Sequence, residues 1–440
     1  MELLDRARHE VDSAEVFQKI SSSVPVKFNS GKLESVKHVD TTGVALRVIQ
    51  DGKLGFSTTT NPDGNSELID RARETAKFGE DAGFEFSGDG AVEKVDTFDR
   101  EVSELTAKKL INYGKEAIAK LHDFDPDLEV NLDISRSVGK TKIGNTEGLE
   151  VEEEKTKLSL SLEVKKVAED DIFTFHESCS AQKTDQFDID GVAEKAIQKV
   201  KWAERESEIA SGTYPVIFTP RGTLVLLVSL LSGLNGQNVF QGTSPLKGDL
   251  GNKVFSENLS LVDYGSFEGS PSRRSFDDEG TPAGKTELIS GGVVKNFLYD
   301  LQTAGQADTD PTGNGVKGGL ISGSDFRSPP SISPTTLLIS PGEKRVGKLI
   351  SDLDSGLMVD QVLGLGQGNP LSGEFSNNVS VAYRIDDGAI TGKVKNTMIA
   401  GNIYELLAGE VEMGQEAEWV GGGLKAPAIA LENVNVVRKS

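Results

Sequence analysis

The chain has 440 residues, of which 36% are hydrophobic and 26% are charged, values that are typical of a folded globular protein with two or three domains. Its 69 acidic residues outnumber its 47 basic residues, which gives a formal net charge of −22. Because contact with phosphate groups depends on basic side chains, this balance argues against direct nucleic-acid binding.

The N-terminal segment and the apolar runs predict a cytoplasmic protein without membrane contact. Residues 1–12 carry charges from the second position and lack the apolar core of a signal peptide. The single cysteine, Cys179, excludes an intrachain disulfide framework. The longest apolar run, residues 224–231, is about half a membrane span and predicts a buried helix instead.

Residues 1–210 predict an N-terminal α+β domain. Short strands are expected between residues 14 and 59, with a hairpin turn at Asp51-Gly52, and a helix follows over 67–77. A longer helix is predicted over 103–121, then strands between 128 and 175, then a helix that begins near Asp190. Strands followed by a helix thus occur over 14–80 and again over 127–205, which indicates an internal duplication and an α+β fold class.

Residues 211–440 predict a second, mostly antiparallel β domain that is either a sandwich or a barrel. Glycine, proline and serine increase from Ser211, and short apolar runs lie between turn residues. Strands are predicted over 337–339, 358–363, 379–385, 393–399 and 429–437, and helices over 222–231, 347–353 and 403–407. Ser290-Gly291-Gly292 predicts a tight turn, because glycine reaches the positive φ that such turns require.

The histidines and glycine motifs do not form a recognisable zinc or nucleotide site. The four histidines are too far apart in the chain for a local zinc pair. In His176-Glu177-Ser178-Cys179, strand geometry would point neighbouring side chains to opposite faces, so an edge-strand histidine is expected. The segment Gly364-Leu365-Gly366-Gln367-Gly368 lacks the third glycine and the helix start of a dinucleotide loop, and it is interpreted as a surface loop.

Three consecutive carboxylates, Asp277, Asp278 and Glu279, leave two interpretations open. They could bind a hard cation or act as a general acid. Consecutive acidic residues more often form a solvent-facing turn, and that is the favoured interpretation.

Several motifs with specific spacing are spread along the second half of the chain. They are the segments SGTYPVIF (211–218), DDEGTP (277–282), TGNG (312–315), GLGQG (364–368), SGEFS (372–376) and IAGN (399–402). Together they resemble the TldD/PmbA family, whose members were once called modulators of DNA gyrase. The N-terminal half fits more loosely, through its strand–hairpin–helix order, so the resemblance covers nearly the whole chain.

The resemblance implies a cytoplasmic zinc metallopeptidase of two different subunits that acts on unfolded or short peptides. TldD-like members carry His-Glu-x-x-x-His on a helix of the C-terminal domain, whereas PmbA-like members, also called TldE, lack that motif and pair with them. Here the corresponding helix after Pro220 reads GTLVLLVSLL, without histidine or glutamate. The chain therefore looks like a non-catalytic PmbA/TldE subunit with no cofactor of its own, and zinc is expected in a TldD-like partner.

Further expectations concern the site residues and the alternatives. The substrate-channel or interface residues expected from the resemblance are Asp277, Asp278, Glu279, Gly364, Gly366, Gly368, Gly373 and Phe375. An extended peptide would pair with an exposed strand edge, and the chain could pair with itself when its partner is absent. Two other functions stay open: a hydrolase that acts alone through an unrecognised site, such as the three carboxylates, and a regulator of DNA gyrase that acts by protein contact.

Overall fold

The structure is a computed structural model that describes residues 2–61, 65–88, 92–168, 171–319, 323–324, 326–367 and 369–439. Within these residues the strands form one seven-stranded sheet before residue 182, one eleven-stranded sheet after residue 211, and two small two-stranded sheets. Helices flank both large sheets, so the α+β class is confirmed. No helix in the described ranges has the length and apolar character needed to span a membrane. The division into domains at residue 210 stays a prediction.

The first sheet is built from long antiparallel strands. Its strands are β1 (Ser13–Asn29), β2 (Lys32–Val36), β3 (Val39–Gln50), β4 (Lys53–Thr59), β5 (Glu129–Asn145), β6 (Glu150–Ala168) and β7 (Asp171–Ala181). The accompanying helices are α1 (Glu2–Ala7), α2 (Asn65–Ala76), α3 (Arg100–Glu104), α4 (Ala107–Phe124) and α5 (Ile189–Trp202). The predicted hairpin joins β3 to β4, and Asp51 and Gly52 both have positive φ there.

The strand order supports the predicted duplication. The order is β4-β3-β1-β5-β6-β7, and β2 pairs with the C-terminal part of β1. The two halves therefore meet at the central β1–β5 pair. Each half places its first strand in the middle and its last strand at an edge. β7 is therefore an edge strand, as the interpretation of His176 requires.

One predicted helix is wrong in its extent. The expected helix over 103–121 is two helices, because α3 ends at Glu104 and α4 begins at Ala107. Between them Thr106 adopts an extended conformation, and its side chain accepts a hydrogen bond from the Lys109 N–H at 3.3 Å. A threonine at this position is a standard helix N-cap, which ends one helix and begins another.

The second sheet closes on itself. Its strands are β8 (Gly212–Phe218), β9 (Leu261–Tyr264), β10 (Lys285–Ser290), β11 (Val293–Val294), β16 (Leu337–Ile339), β17 (Ser355–Leu363), β18 (Glu374–Asp386), β19 (Ala389–Lys393), β20 (Thr397–Asn402), β21 (Val411–Val420) and β22 (Leu424–Arg438). The order β22-β20-β18-β17-β8 is closed by pairing of β8 with β22. The C-terminal half is thus barrel-like, which confirms one of the two predicted architectures.

Shorter elements complete this half of the chain. The small sheets pair β12 (Gly315–Val316) with β15 (Ser331–Ile332) and β13 (Gly318–Gly319) with β14 (Gly323–Ser324). The helices are α6 (Leu224–Gly233), α7 (Gly236–Phe240), α8 (Leu301–Gln306), α9 (Val346–Ser351) and α10 (Ile403–Ala408). The turn at Gly291-Gly292 is confirmed, with φ of +54° and +77°.

The strand predicted over 393–399 is wrong, since it belongs to two strands. β19 ends at Lys393 and β20 begins at Thr397. Asn396 lies between them with φ of +49°, a left-handed conformation that interrupts an extended strand.

The two halves of the chain share a hydrophobic core. Alternate residues of β8 point to opposite faces, as in any strand. Val216 and Phe218 pack with α6 and the rest of the C-terminal core, whereas Ile217 packs with helices and strands of the first sheet. Met358 on β17 joins Ile217 on that second face. The barrel wall thus lies directly against the N-terminal half.

Close packing of α2 on β4 gives a testable prediction. A Cβ added to Gly55 on β4 would lie far inside van der Waals contact with the Ala72 carbonyl of α2, whereas a Cβ on Gly284 would meet nothing within 4 Å. We expect Gly55→Ala to lower the free energy of unfolding by about 2–3 kcal/mol, since overpacking forces backbone shifts. Gly284→Ala should change it by less than about 0.5 kcal/mol. Urea unfolding of both variants measures this, and a loss for Gly55→Ala as small as that for Gly284→Ala would show that α2 is free to move away from β4.

Candidate functional site

Helix α6 occupies the position where the resemblance places a zinc motif. It begins at Leu224, two residues later than predicted, and its sequence is LVLLVSLLSG. Its buried residues Val225, Leu226, Leu227 and Leu230 belong to the C-terminal core. Aliphatic side chains offer no lone pair to a metal, so this helix does not fit a zinc ion. Across the described ranges, no three histidine, cysteine or acidic side chains gather closely enough to hold a metal.

A cleft of about 550 Å³ opens at the first turn of α6. Leu224, Leu365 and the end of β17 contribute apolar walls, and the opposite wall is the outer part of β7. Two of its apolar side chains are strongly exposed, Ile172 at 64% and Leu363 at 59%. Exposed apolar side chains that converge in one cleft are typical of a binding surface.

The β7 strand presents an unpaired edge to this cleft. Among the described strands β7 pairs only with β6, so its other edge has no strand partner. At His176 that edge is capped by Gln361 of β17, whose Nε2 donates to the His176 carbonyl at 2.9 Å and whose Oε1 accepts from the His176 N–H at 3.3 Å. Residues two apart on a strand direct their backbone groups to the same side. The N–H and C=O of Thr174 therefore face away from β6, as those of His176 do. The edge at Thr174 is thus open to an extended ligand.

A buried ion cluster lies beneath the cleft. Lys199 of α5 forms ion pairs with Glu177 of β7 and Asp360 of β17. Asp360 also accepts hydrogen bonds from Thr219 Oγ1 at 2.7 Å and Gln361 Nε2 at 3.0 Å. Burial lowers the pKa of Lys199, but Asp360 and Glu177 outweigh it and raise the pKa above its ordinary value. This lysine therefore stays charged.

Sequence reasoning missed this cluster. The alternation expected at residues 176–179 is confirmed, since His176 is exposed and Glu177 is buried. The available signal was Lys199 itself, which follows Ala196 by three residues on the inward face of α5. A lysine on an apolar helix face predicts a buried anionic partner.

The favoured interpretation of Asp277, Asp278 and Glu279 as a solvent-facing turn is wrong. Their exposed fractions are 1%, 2% and 3%. Asp277 accepts hydrogen bonds from the N–H groups of Glu279, Thr281 and Gly315 at 2.8–2.9 Å. Asp278 pairs with Arg274 at 2.5 Å and accepts from the Lys317 N–H at 2.8 Å. The turn is buried because backbone donors and arginines satisfy its carboxylates.

Glu279 takes part in a second buried ion cluster. Arg47 on β3 forms ion pairs with Glu279 and Glu15. Glu15 lies directly opposite Arg47 on β1, and its Oε1 is 3.1 Å from Arg47 Nη2. The other Glu279 oxygen accepts from the Leu301 N–H at 2.8 Å. Glu279 borders a cavity of about 280 Å³, yet both its oxygens are engaged. The signal for this cluster in the sequence was the opposed Glu15 and Arg47 inside otherwise apolar strands.

The pKa shifts in this region follow from burial and neighbouring charge. Burial raises the pKa of Asp277, and the Glu279 carboxylate raises it further. Burial also raises the pKa of Asp278, but Arg274 outweighs it and the net pKa lies below the ordinary value. Lys317 is stacked over the rings of Phe17 and Phe56, and burial lowers its pKa to about 8.

The glycine segment lies near α6, away from the carboxylates. Gly364 and Gly366 adopt φ of +71° and +77° in the turn after β17, and Gly366 lies beside Val228 of α6. Gly373 has φ of +76° and leaves room for the Tyr404 ring, whereas Phe375 is buried in the C-terminal core. Gly368 lies outside the described residues. The binding roles expected for these residues stay predictions, and the described ones do not contact the acidic turn.

The Arg47 cluster gives a testable prediction about stability. Replacing Glu279 by glutamine leaves Arg47 buried with one carboxylate, which we expect to cost about 3 kcal/mol of unfolding free energy. Glu287→Gln is the matched control, because Glu287 pairs with Lys285 at the surface with about half of each side chain exposed. The control should leave stability nearly unchanged. Urea unfolding at pH 7 compares them, and equal stabilities would mean that the buried pair contributes nothing net.

Comparison with known proteins agrees with this architecture. Residues 14–76, 100–204 and 211–438 match domain 1, the central domain and the C-terminal domain of the PmbA/TldA metallopeptidase family. An uncharacterized protein of Methanocaldococcus jannaschii is 28% identical over 391 residues, which is 88% of each chain. A metalloprotease of Methanothermobacter thermautotrophicus is 26% identical over 418 residues, covering 92% of this chain and 88% of its own.

A solved structure shows the same fold throughout. TldE from Thermococcus kodakarensis is 25% identical and superposes with a TM-score of 0.90 over 99% of both chains. The C-terminal match alone spans more than half of this chain. The chain therefore belongs to the PmbA/TldD metallopeptidase family.

Proposed function

We propose that this chain is the non-catalytic, peptide-holding subunit of a cytoplasmic zinc metallopeptidase whose second subunit is a TldD-like family member. The observation that carries the proposal is α6, a helix at the position expected for the zinc motif whose side chains are aliphatic and packed into the core. The likeness to a TldE structure over nearly its full length supports the same assignment. Hydrolysis then falls to the partner.

The cleft beside α6 supports a role in holding peptide. It combines an open strand edge at Thr174 with exposed apolar side chains at Ile172 and Leu363. Main-chain pairing along a strand edge binds extended peptides with little dependence on sequence, while neighbouring apolar pockets receive alternate side chains. Such binding suits unfolded or short peptides as substrates.

The two alternative functions have weaker support. A hydrolase that uses Asp277, Asp278 and Glu279 would need a free carboxylate, but arginines and backbone N–H groups already occupy these side chains. For a regulator of DNA gyrase, no contact or surface among the described residues favours the assignment.

The first experiment measures zinc content and cleavage of an unfolded peptide. The purified chain is tested alone and then mixed with a family member from the same source that carries the zinc motif. We expect the chain alone to be metal-free and inactive, and the mixture to cleave faster than the zinc subunit alone. Stoichiometric zinc in the isolated chain, or chelator-sensitive cleavage by it, would refute the assignment of α6 as a helix without a metal site.

A second experiment tests the strand edge. Thr174→Pro removes an outward N–H from β7 without removing a β6 pairing, because proline is tolerated where the N–H faces away from the ladder. We expect cleavage of extended peptides by the mixture to fall several-fold. The matched control is Thr58→Pro on β4, at the opposite edge of the same sheet.

The control must leave cleavage unchanged, and circular dichroism and thermal melting must show that both proline variants are folded. Unchanged cleavage with folded Thr174→Pro would mean that peptide does not pair with β7.

A further inference from the structure

A second cavity adjoins the cleft and contains both tryptophans of the chain. It has a volume of about 250 Å³ and lies where α5 meets the barrel wall and the end of β21. Trp202 lines it from α5 and Trp419 from β21, and Ile217 and Met358 contribute apolar floor from the barrel. We call it the tryptophan cavity. Its volume is below the roughly 300–1,000 Å³ of sites for drug-sized ligands, so it suits one large side chain.

The tryptophan cavity and the cleft meet at two residues, Arg221 and Asp360, which line both. The Asp360 carboxylate is already engaged by Lys199, Thr219 and Gln361. In the part of the chain that the structure describes, the Arg221 guanidinium makes no ion pair and no hydrogen bond. Arg221 is therefore the charged group at this junction with donors still available.

The other lining charges are two lysines and three carboxylates, and all five are engaged in ion pairs with one another. Lys195 pairs with Glu418 at 2.7 Å, and Lys199 lies between Glu177 and Asp360. Three acidic and three basic side chains line the cavity, so their formal charges sum to zero. The carboxylate that offsets the charge of Arg221 belongs to the Lys199 cluster and is paired with Lys199. A guanidinium with free donors binds a carboxylate through two parallel hydrogen bonds. The balanced surroundings make modest affinity the expectation.

We propose that the tryptophan cavity and Arg221 form a site for the C-terminal residue of a peptide. The apolar or aromatic side chain of that residue enters the cavity, and its terminal carboxylate pairs with Arg221. The rest of the peptide extends along the open edge of β7 in the cleft. The cavity is too small for the chain to continue, which favours a terminal carboxylate over an acidic side chain within a longer peptide. Taking a peptide as the occupant rests on the proposed function.

Tryptophan fluorescence tests the site directly on the isolated chain, since its only two tryptophans line the cavity. The probes are N-acetyl-Ala-Ala-Phe and its C-terminal amide. We expect the acid to change the tryptophan emission saturably. It should bind at least roughly tenfold more tightly than the amide, because the amide cannot form the charged hydrogen-bonded pair with Arg221. A third probe, N-acetyl-Asp-Ala-Phe-amide, carries its carboxylate on a side chain and should bind like the amide.

Variants assign the effect to Arg221. In Arg221→Gln the acid and the amide should bind equally, and Arg221→Lys should discriminate weakly because lysine lacks the planar fork. Arg71→Gln is the matched control, since Arg71 is an exposed residue of α2. Trp202→Phe and Trp419→Phe each leave one reporter, and both should still respond. Melting temperatures confirm that the variants fold.

Three results would overturn the proposal: no saturable change, equal binding of acid and amide by the wild-type chain, or discrimination retained in folded Arg221→Gln. Because no partner and no cleavage enter this measurement, its failure is distinct from failure of the proposed function. Discrimination without any gain of cleavage in the mixture would keep this site and reject the peptidase role.

Discussion

Two buried cations hold the N-terminal sheet against the C-terminal barrel, and each is paired in the same way. Arg47 is clamped by Glu15 from its own half and Glu279 from the other, and Lys199 by Glu177 and Asp360 in the same arrangement. Burying a charge is unfavourable unless it is paired and hydrogen-bonded. Separating the halves would remove the Glu279 carboxylate from Arg47 and the Asp360 carboxylate from Lys199. The relative position of β7 and β17, which form the cleft, therefore depends on these pairs.

Local features of the sequence were sufficient to predict much of the fold. The hairpin at Asp51-Gly52, the turn at Gly291-Gly292 and the existence of α6 depend on residues that are neighbours in the chain. The break at Thr106 was missed because apolar spacing continues across it, and the cap became visible only through its hydrogen bond to Lys109. The strand break at Asn396 likewise depends on one backbone angle.

The buried clusters could not be predicted from local sequence, because the residues that pair within each cluster are distant in the chain. Glu279 was recognised as part of an acidic run, but its environment depends on Arg47, 232 residues away. The sequence did contain a partial signal, since Glu15, Arg47 and Lys199 all interrupt apolar patterns. A charged residue on a face that should be buried implies an opposite charge somewhere else. Which residue supplies that charge is decided by the tertiary fold alone.

In the proposed function, the aliphatic α6 separates the binding of peptide from its hydrolysis. Its buried leucines and valines belong to the C-terminal core, and burial of their apolar surface stabilises the helix there. The cleft walls come mainly from β7 and β17, and α6 adds Leu224 and Val225 at its first turn. Arg221 lies just before this helix and touches both cavities. In the proposed function, peptide recognition thus rests on β7, β17 and Arg221, whereas hydrolysis rests on the zinc motif of the partner subunit.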